Sequence, residues 1–322
     1  MAACPLDIYH PQLASLARQV PEGDLWLHEI KYDGYRIGCC IEAGQATLIS
    51  RNGNDWTDSF PEIRDAAGLL GVKNALLDGE IAVELRNGHT SFHALQRALG
   101  GGSRAGLAYF VFDLLYLDGR DVSQQPLETR KSVLSQLTAG VRPPGRIRYT
   151  EHIVGNGPEV FREASRLGLE GVISKRRDLP YRPGRSGHWL KTKCIASQEF
   201  VIGGFTERQG QHGSIGALLI GFHNESGRLT FAGKVGTGFN SREAQALRKS
   251  LELLKQRNCP FDPCPEAAIV RNARWVRPEL IAQVSFIEWT PDGRVRHPSF
   301  KGLRQDKAPR EVVFEPEAGS LD

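Results

Sequence analysis

The segment LAYFVFDLLYL at residues 107–117 restricts the fold more than any other feature, because ten of its eleven residues are apolar or aromatic. A run of this length and composition predicts a buried strand. Apolar or alternating segments at 25–30, 35–41 and 46–50 are separated by Asp-Gly and Ala-Gly, which predicts antiparallel strands. Helices are predicted near 61–70, 90–99, 127–138 and 158–167. The first part of the chain is therefore expected to be of the α+β class.

The pattern changes after Lys193, where short glycine-rich strands take over. They are EFVIGGF, GALLIGF, LTFAGKV and IAQVSFIEW, and one amphipathic helix at about 241–256 interrupts them. Asn240 and Glu243 are placed to form a capping box at the start of that helix. Several short strands with a single helix favour a small β-barrel of the oligonucleotide-binding (OB) type. We predict two domains, 1–195 and 196–322, with a hinge near residues 194–198.

The composition is that of a soluble globular protein of 322 residues, with 40% hydrophobic and 24% charged residues. No apolar run approaches the roughly 20 residues that cross a bilayer, so no membrane association is expected. The amino terminus lacks a basic region followed by an apolar core, so we predict no secretory signal and a cytoplasmic location.

Six cysteines are present, and neither a Cys-x-x-Cys pair nor a zinc-ligand spacing is found among them. They are Cys4, Cys39, Cys40, Cys194, Cys259 and Cys264. A chain that can bury its own core does not need a disulfide framework, so we expect reduced thiols.

Two segments are strongly basic although the formal net charge is only +4. Residues 175–193 hold seven Lys or Arg against one Asp, and residues 294–310 hold six against one. Such segments attract polyphosphate or nucleic acid. A solvated basic surface is the alternative for either segment taken alone.

Lys31 is the first candidate for chemistry, because it follows a predicted strand and precedes Asp33-Gly34. A lysine nucleophile must be neutral, which requires burial or positive neighbours that lower its pKa. Taken alone, the segment fits a solvated surface lysine equally well.

Other segments add polar and aromatic candidates with simple structural alternatives. Glu80 follows a predicted Asp-Gly turn in LLDGEIAVE, and Lys191 and Lys193 lie two residues apart, on one face of a predicted strand. The remaining candidates are Arg51 in LISRNGNDW, Phe112 in FVFDLLY, and Glu170 and Lys175 in LEGVISKR. Each alone could be a hairpin charge, a turn residue, a core side chain or a helix-end acid.

Together, seven elements in order along residues 29–307 resemble the motif series of covalent nucleotidyltransferases. They are KYDGYR, SRNG, LDGE, FDLLYLDG, EGVISK, WLKTK and FKGLRQDK. The longer segments HEIKYDGYR, SRNGNDWT and SFKGLRQDKAPREV are similar to those of the ATP-dependent DNA ligases of bacterial non-homologous end joining. The resemblance implies an adenylation domain with antiparallel sheets and helices, followed by an OB-fold domain.

The resemblance also implies a reaction that uses ATP and Mg²⁺ or Mn²⁺. Lys31 would attack the α-phosphorus of ATP and hold AMP, which then passes to a DNA 5′-phosphate before the 3′-OH seals the strand. By the same resemblance, Lys191 and Lys193 would contact the α-phosphate and depress the pKa of Lys31. Arg36 and Arg51 would contact phosphate or ribose and the DNA 5′-phosphate. Glu80 would bind ribose or metal, and Glu170 would orient the metal. Phe112 would stack on adenine, with Phe110 as a second candidate, the Glu29 carbonyl would read the adenine amino group, and Lys175 would contribute to nucleotide binding.

The last motif implies a mobile second domain. Arg304 and Lys307 would orient the pyrophosphate leaving group when that domain covers the ATP, and Asp306 would support the arginine. A basic C-terminal surface that only binds DNA is the alternative.

Nicked or broken duplex DNA is the implied partner, with Ku and an end-joining polymerase acting in trans on a monomeric, nucleoid-associated enzyme. An RNA ligase, a capping-type enzyme and a non-catalytic DNA-binding module remain alternatives. An NAD-dependent ligase is disfavoured because no zinc-ligand cysteines are present. A stand-alone enzyme and a portion of a longer protein are both compatible with the sequence.

Overall fold

A computed structural model of the chain describes residues 9–140, 145–208 and 211–315. The chain divides into two units, Met1–Cys194 and Ile195–Asp322. The strands of the first unit are β1 (Gln12–Leu16), β2 (Trp26–Ile30), β3 (Tyr35–Glu42), β4 (Gln45–Ser50), β5 (Asn74–Val83), β6 (Leu107–Leu117), β7 (Arg120–Asp121), β8 (Ile147–Tyr149), β9 (Ile153–Val154), β10 (Gly171–Arg176) and β11 (Gly184–Lys193). Its helices are α1 (Pro61–Gly68), α2 (Phe92–Leu99), α3 (Leu127–Thr138) and α4 (Gly157–Arg166).

Two sheets organise the first unit. One has the order β4-β3-β5-β6-β7, with β8 paired to β6, and the other has the order β1-β11-β10-β2-β9. The pairs β6–β8 and β1–β11 are parallel and the remaining pairs are antiparallel. The predicted α+β class with antiparallel sheets is confirmed, and the apolar run at 107–117 is buried at all but its last residue.

Alternation along the strands gives the six-stranded sheet two faces, one packed on the helices and one that mixes apolar with charged side chains. On β3, Tyr35, Ile37 and Cys39 point into a core that also contains apolar residues of α1, α2 and α3. The residue between the first two, Arg36, lies on the opposite face. Phe112 of β6 lies on that face too, and its ring centroid is 5.9 Å from that of Trp189 on β11. This second face of the six-stranded sheet is therefore turned toward the five-stranded sheet.

The pair Asp78-Gly79 lies inside β5, so the prediction of a turn before Glu80 is wrong. A Cβ atom on Gly79 would lie 2.5 Å from the Tyr109 ring and 2.6 Å from the carbonyl oxygen of Phe110. The register between β5 and β6 also shifts at this point. Glycine is needed here because β6 packs closely against β5. In the sequence, the dipeptide Asp-Gly is equally typical of a turn.

Gly34 allows the segment after Lys31 to pass close to β5. A Cβ atom at this position would lie 2.1 Å from the carbonyl oxygen of Ile81. Its neighbour Asp33 accepts a hydrogen bond from the backbone N–H of Phe92 at 3.2 Å, which joins the segment to the first turn of α2. The Lys31 segment is thus fixed from two sides.

The second unit is built around a six-stranded antiparallel sheet of order β14-β13-β12-β16-β17, with β15 also paired to β12. Phe300 N donates to Thr237 O at 3.0 Å and Val295 N donates to Ala232 O at 2.9 Å, so the sheet curls until its two edges approach. The strands are β12 (Ser197–Arg208), β13 (Gln211–His223), β14 (Leu229–Val235), β15 (Ala273–Trp275), β16 (Ile281–Ser285) and β17 (Ser299–Arg304), and the helix is α5 (Ser241–Leu253). The arrangement fits the predicted small barrel.

Helix α5 begins as its sequence predicts. The Asn240 side chain accepts from Glu243 N, and the Glu243 side chain accepts from Asn240 N, both at 3.0 Å. Leu247 and Leu251 are buried against the sheet. Among the described residues, no helix has the length and apolar character needed to span a membrane.

The prediction that all cysteines are reduced is wrong at Cys40, which is disulfide-bonded. Cys39, Cys194, Cys259 and Cys264 are free thiols, whereas Cys4 lies outside the described residues. Sequence spacing excludes a metal cluster but does not say which cysteines the fold brings together.

Gly34→Ala is expected to lower the free energy of unfolding by about 1–3 kcal/mol, because the added methyl group overlaps a backbone oxygen. Urea unfolding followed by circular dichroism measures the change. Gly140→Ala is the matched control, because a Cβ atom there meets nothing within 4 Å. Equal stability of the two variants would contradict the packing account of Gly34.

Candidate active site

A cavity of about 180 Å³ lies in the first unit and is lined by residues from both of its sheets. Eight of the predicted site residues line it: Glu29, Lys31, Arg36, Arg51, Glu80, Phe112, Lys175 and Lys191. Leu13, Ala14, Ile30, Tyr32, Ile173, Arg185 and Trp189 complete the lining. The wall is therefore rich in positive charge and also contains aromatic and carboxylate groups.

Strand register explains why residues distant in sequence meet at this cavity. Ile173 of β10 pairs with Glu29 on one side and with Lys191 on the other. Two residues further along β10, Lys175 pairs with Trp189 of β11. Side chains two residues apart point the same way, so these groups share one face of the five-stranded sheet.

Lys31 follows β2, and its backbone N–H donates to Gly171 O at 2.9 Å. Its ammonium forms an ion pair with Glu170 Oε1, and the two side chains are 21% and 14% exposed. Burial alone would lower the pKa of Lys31, but the nearby carboxylates of Glu170, Asp33 and Glu80 outweigh it and raise the pKa. Lys31 is thus a partly buried, protonated amine held by an acid.

Lys191 and Lys193 are expected to depress the pKa of Lys31, but the net shift of that pKa is upward, because the acidic neighbours outweigh the effects that lower it. Lys191 lines the cavity, whereas Lys193 is not among the described residues that line it. Burial raises the pKa of Glu170 overall, and the charges of Lys31 and Lys193 oppose this shift. Acidic neighbours control Lys31 here because Glu170 contacts its ammonium directly.

Arg36 is held by a buried carboxylate that the sequence did not single out. Its Nε and Nη2 atoms lie 2.5 and 2.6 Å from the two oxygens of Asp78. Asp78 also accepts hydrogen bonds from the Tyr9 hydroxyl at 2.8 Å and the Tyr181 hydroxyl at 2.7 Å. The orientation of Arg36 is therefore fixed by a completely buried group on β5.

Phe112 lies between two cations and a second aromatic ring. Arg36 Cζ is 4.4 Å and Lys175 Nζ is 4.0 Å from the centre of the Phe112 ring. Phe110, the second candidate for stacking, packs in parallel on Tyr32 with ring centroids 4.1 Å apart. Of these two phenylalanines, only Phe112 lines the cavity.

The side chain of Glu29 has a structural role beyond its carbonyl group. Its two oxygens lie 2.5 Å from Lys131 Nζ and 2.5 Å from Lys175 Nζ, and all three side chains are almost completely buried. Burial lowers the pKa of Lys175 to about 8; the positive charge of Lys131 acts in the same direction, and Glu29 opposes it. Lys131 lies on α3 and was not predicted as a site residue.

Glu80 and Glu170 are the predicted metal ligands. Glu170 Oε2 is buried and accepts no hydrogen bond within the described part of the chain. An oxygen in this state suits a hard cation, and Mg²⁺ often uses one or two carboxylates together with substrate phosphates. Within the described ranges, no group of three or more His, Cys, Asp or Glu residues forms a metal cluster.

The remaining predicted residues lie in the second unit and contact one another there. Arg304 binds Asp306 through two hydrogen bonds of 2.8 and 2.6 Å. Lys307 Nζ lies 3.2 Å from Glu199 Oε2 on β12. The predicted support of Arg304 by Asp306 is therefore present within this unit.

Three residues of the site carried signals that the sequence interpretation did not use. Trp189 lies two residues before Lys191, which places it on the same strand face. Arg185 belongs to the basic segment 175–193, and its Nη1 donates to Ala14 O at 2.7 Å. Tyr32 adjoins Lys31, but nothing in the sequence alone shows that it packs on Phe110.

Comparisons with protein families cover most of the chain. Residues 11–193 match the family described as ATP dependent DNA ligase domain. Residues 211–307 match the ATP dependent DNA ligase C terminal region. The first match alone covers more than half of the chain.

Individual relatives agree with these family matches. The chain is 41% identical over 311 residues to the multifunctional non-homologous end joining protein LigD of Pseudomonas aeruginosa, covering 96% of this chain and 37% of the relative. It is 39% identical over 292 residues to the LigD protein of Mycobacterium tuberculosis strain H37Rv, covering 90% of this chain and 37% of the relative. The chain thus spans little more than a third of these relatives.

A solved structure of mycobacterial DNA ligase D complexed with ATP and MES is similar over 95% of this chain and 98% of that chain, with 36% identity and a TM-score of 0.72. This likeness and the family matches confirm the predicted ligase fold, including its OB-type C-terminal part. The chain belongs to the ATP-dependent DNA ligase family.

Proposed function

We propose that this chain seals nicked or broken duplex DNA through AMP bound covalently to Lys31. The observation that carries the proposal is the placement of Lys31 in a cavity whose wall includes five more cations. They are Arg36, Arg51, Lys175, Arg185 and Lys191. An amine among cations suits attack on an anionic phosphate, because the cations stabilise the charge that develops during displacement.

The proposed reaction consists of three in-line displacements at phosphorus. The lone pair of Lys31 Nζ forms a bond to the α-phosphorus of ATP, and the bond to the bridging oxygen breaks with release of pyrophosphate. A DNA 5′-phosphate then displaces Lys31 from the AMP group. Finally the 3′-OH of the nick attacks the activated 5′-phosphorus, and AMP leaves.

Positive side chains are proposed to hold the phosphates during these steps. Lys191 and Lys193 would contact the α-phosphate, with Lys191 in the cavity wall and Lys193 two residues further along β11. Arg51 would reach phosphate or ribose, and Arg36 would do so from the position that Asp78 fixes.

The ion pair with Glu170 must open before Lys31 can act, because a protonated amine has no lone pair. Glu170 and Glu80 are the residues that would hold Mg²⁺ or Mn²⁺, and the metal would supply a Lewis acid for the phosphate oxygens. Withdrawal of Glu170 from Lys31 would remove the main charge that raises the pKa of Lys31. Glu170 would in this way also control when the nucleophile loses its proton.

Recognition of the nucleoside is assigned to the aromatic end of the cavity. Phe112 would stack on adenine, and the Glu29 carbonyl would accept from its amino group. Glu80, on the strand β5 that pairs with β6, could also bind ribose. Lys175 would donate to an acceptor atom of the nucleotide. The support for these roles is the shared lining of the cavity.

The second domain, 196–322, is proposed to turn about residues 194–198 and bring Arg304 and Lys307 to the pyrophosphate. Asp306 would keep Arg304 extended in the required orientation, as their two hydrogen bonds suggest. The same domain would turn away before DNA is sealed.

We further propose a role in end joining, as a monomer in the cytoplasm at the nucleoid, with Ku and a polymerase as partners. The printed names of the LigD relatives support the pathway. RNA ligation and capping remain the alternatives. Comparing ATP with GTP in adduct formation, and nicked DNA with nicked RNA in sealing, separates them.

Wild-type protein incubated with α-labelled ATP and Mg²⁺ is expected to retain the label covalently, and Lys31→Ala is expected to retain none, because the nucleophile is absent. Gel electrophoresis after acid precipitation measures the adduct. Lys73→Ala, at an exposed lysine of the same unit, is the control and should label normally. Equal labelling of wild type and Lys31→Ala would exclude Lys31.

Glu170→Gln is expected to move the pH–rate profile of adduct formation to lower pH, because its carboxylate raises the pKa of Lys31. The maximal rate should also fall if the residue holds metal. Single-turnover rates between pH 6 and pH 10 measure both effects. A lower maximum with an unchanged profile would show that Glu170 does not control the proton on Lys31.

Arg304→Ala is expected to slow adduct formation on the order of 100-fold, while sealing of pre-adenylated DNA stays close to wild type. Arg304 is assigned to the departure of pyrophosphate, a step that pre-adenylated DNA does not require. Arg277→Ala is the control, since Arg277 pairs with the acid two residues later, as Arg304 does, but is exposed. Similar losses in both assays would remove the assigned role.

A further inference from the structure

Helix α3 places a completely buried lysine behind the cavity. Lys131 is 1% exposed, and its ammonium donates to Glu29 Oε1 at 2.5 Å and to Thr150 O at 3.0 Å. It also lies 4.6 Å from the centre of the Tyr149 ring. Burying a charge is unfavourable unless it is paired, so this position requires a carboxylate partner.

The carboxylate of Glu29 is shared between two ammonium groups. Its second oxygen lies 2.5 Å from Lys175 Nζ, within ion-pair distance. The three buried groups therefore carry a net positive charge. Lys131 is not among the described residues that line the cavity, whereas Lys175 is.

Aromatic rings hold Lys175 at the cavity wall. Its Nζ atom lies 4.0 Å from the centre of Phe112 and 4.1 Å from the centre of Trp189. Rings attract a cation but accept no conventional hydrogen bond, so the N–H groups keep donor capacity for a molecule in the cavity. If the Glu29 carboxylate were paired with Lys175 alone, it would draw the Lys175 ammonium toward β2.

We propose that Lys131 is a positioning residue of the nucleotide site, because by holding one oxygen of Glu29 it keeps Lys175 available as a donor to the nucleotide. The inference rests on the proposed assignment of this cavity to ATP. Lys131 acts through Glu29 and does not itself touch the substrate.

Several charged or titratable groups face Lys175 from the surrounding elements. Glu29 lies on β2, Lys131 on α3, and Asp113 on β6; His152 follows β8, and Arg36 of β3 lies over the same Phe112 and Trp189 rings. The pKa of Lys175 is lowered to about 8, first by burial, with Lys131 adding to the effect and Glu29 and Asp113 opposing it. Removal of Lys131 should therefore raise this pKa, and removal of the Glu29 charge should lower it.

The direct test is a pH titration of Lys175 by nuclear magnetic resonance on full-length protein labelled with ¹³C at lysine Cε. Lys175→Met assigns the signal, and the wild-type midpoint should lie near pH 8. Lys131→Met should move the midpoint up by about one pH unit, Glu29→Gln should move it down, and Lys131→Arg should leave it near wild type. A general loss of packing would not move the Lys175 midpoint in opposite directions in Lys131→Met and Glu29→Gln.

An unchanged or lowered midpoint in Lys131→Met overturns the proposal. Circular dichroism checks that each variant is folded. If Lys131→Met does not fold, the Glu29→Gln titration decides, because a midpoint that does not fall excludes charge sharing through this carboxylate.

ATP affinity, measured by calorimetry on Lys31→Ala protein to prevent the covalent step, tests the link to the nucleotide. Between pH 7.5 and 9.0, affinity should fall up to about eightfold as Lys175 loses its proton, but only about twofold when Lys131→Met is added. If Lys131→Met shifts the midpoint but both affinity profiles are flat, the donor role is overturned. The proposed nucleotide site itself fails if ATP does not bind the Lys31→Ala protein and if Phe112→Ala, in an otherwise wild-type chain, does not change adduct formation. In that case the titration of Lys175 still decides whether Glu29 shares its charge between the two lysines.

Discussion

Two sheets in the first unit face each other with charged side chains between them, and these charges are stable there only when paired. Asp78 holds Arg36, Asp113 holds Arg130 at 2.7 and 2.8 Å, and Glu29 is shared by two lysines. Each pair joins two different secondary-structure elements of the unit. Removing one partner would leave a buried charge, which typically costs about 3–5 kcal/mol. The cavity wall therefore depends on this pairing as much as on the apolar core.

The same pairing sets the chemical problem at Lys31. An amine that is to attack phosphorus must be neutral, yet the neighbouring acids stabilise its protonated form. Pairing with Glu170 keeps the lysine ordered. Chemistry then requires the acid to turn to another partner, and a metal bound with the substrate would provide one. On this account, the Glu170 carboxylate holds Lys31 in its protonated form and, by moving away, allows the lysine to lose its proton.

Much of this organisation could be predicted from the sequence because strand and helix patterns are local. The buried strand at 107–117, the helix positions and the Asn240–Glu243 capping box all follow from residue spacing. Eight predicted site residues line one cavity because strand pairing within the two sheets brings their motifs together.

The rest depended on contacts that spacing does not encode. Asp78-Gly79 has the composition of a turn, but close packing on Phe110 and Tyr109 keeps it within a strand. Lys131 looks like a solvent-facing helix residue until Glu29, 102 positions away, is brought beside it. The direction of the pKa shift at Lys31 likewise depends on which charge touches its ammonium.

The most direct test of the central claim is to map the AMP-bearing residue of the wild-type protein by peptide mass spectrometry after reaction with ATP and Mg²⁺. We predict a single AMP group on the peptide that contains Lys31. An AMP group on Lys175, Lys191 or any other lysine, with Lys31 unmodified, would contradict the account.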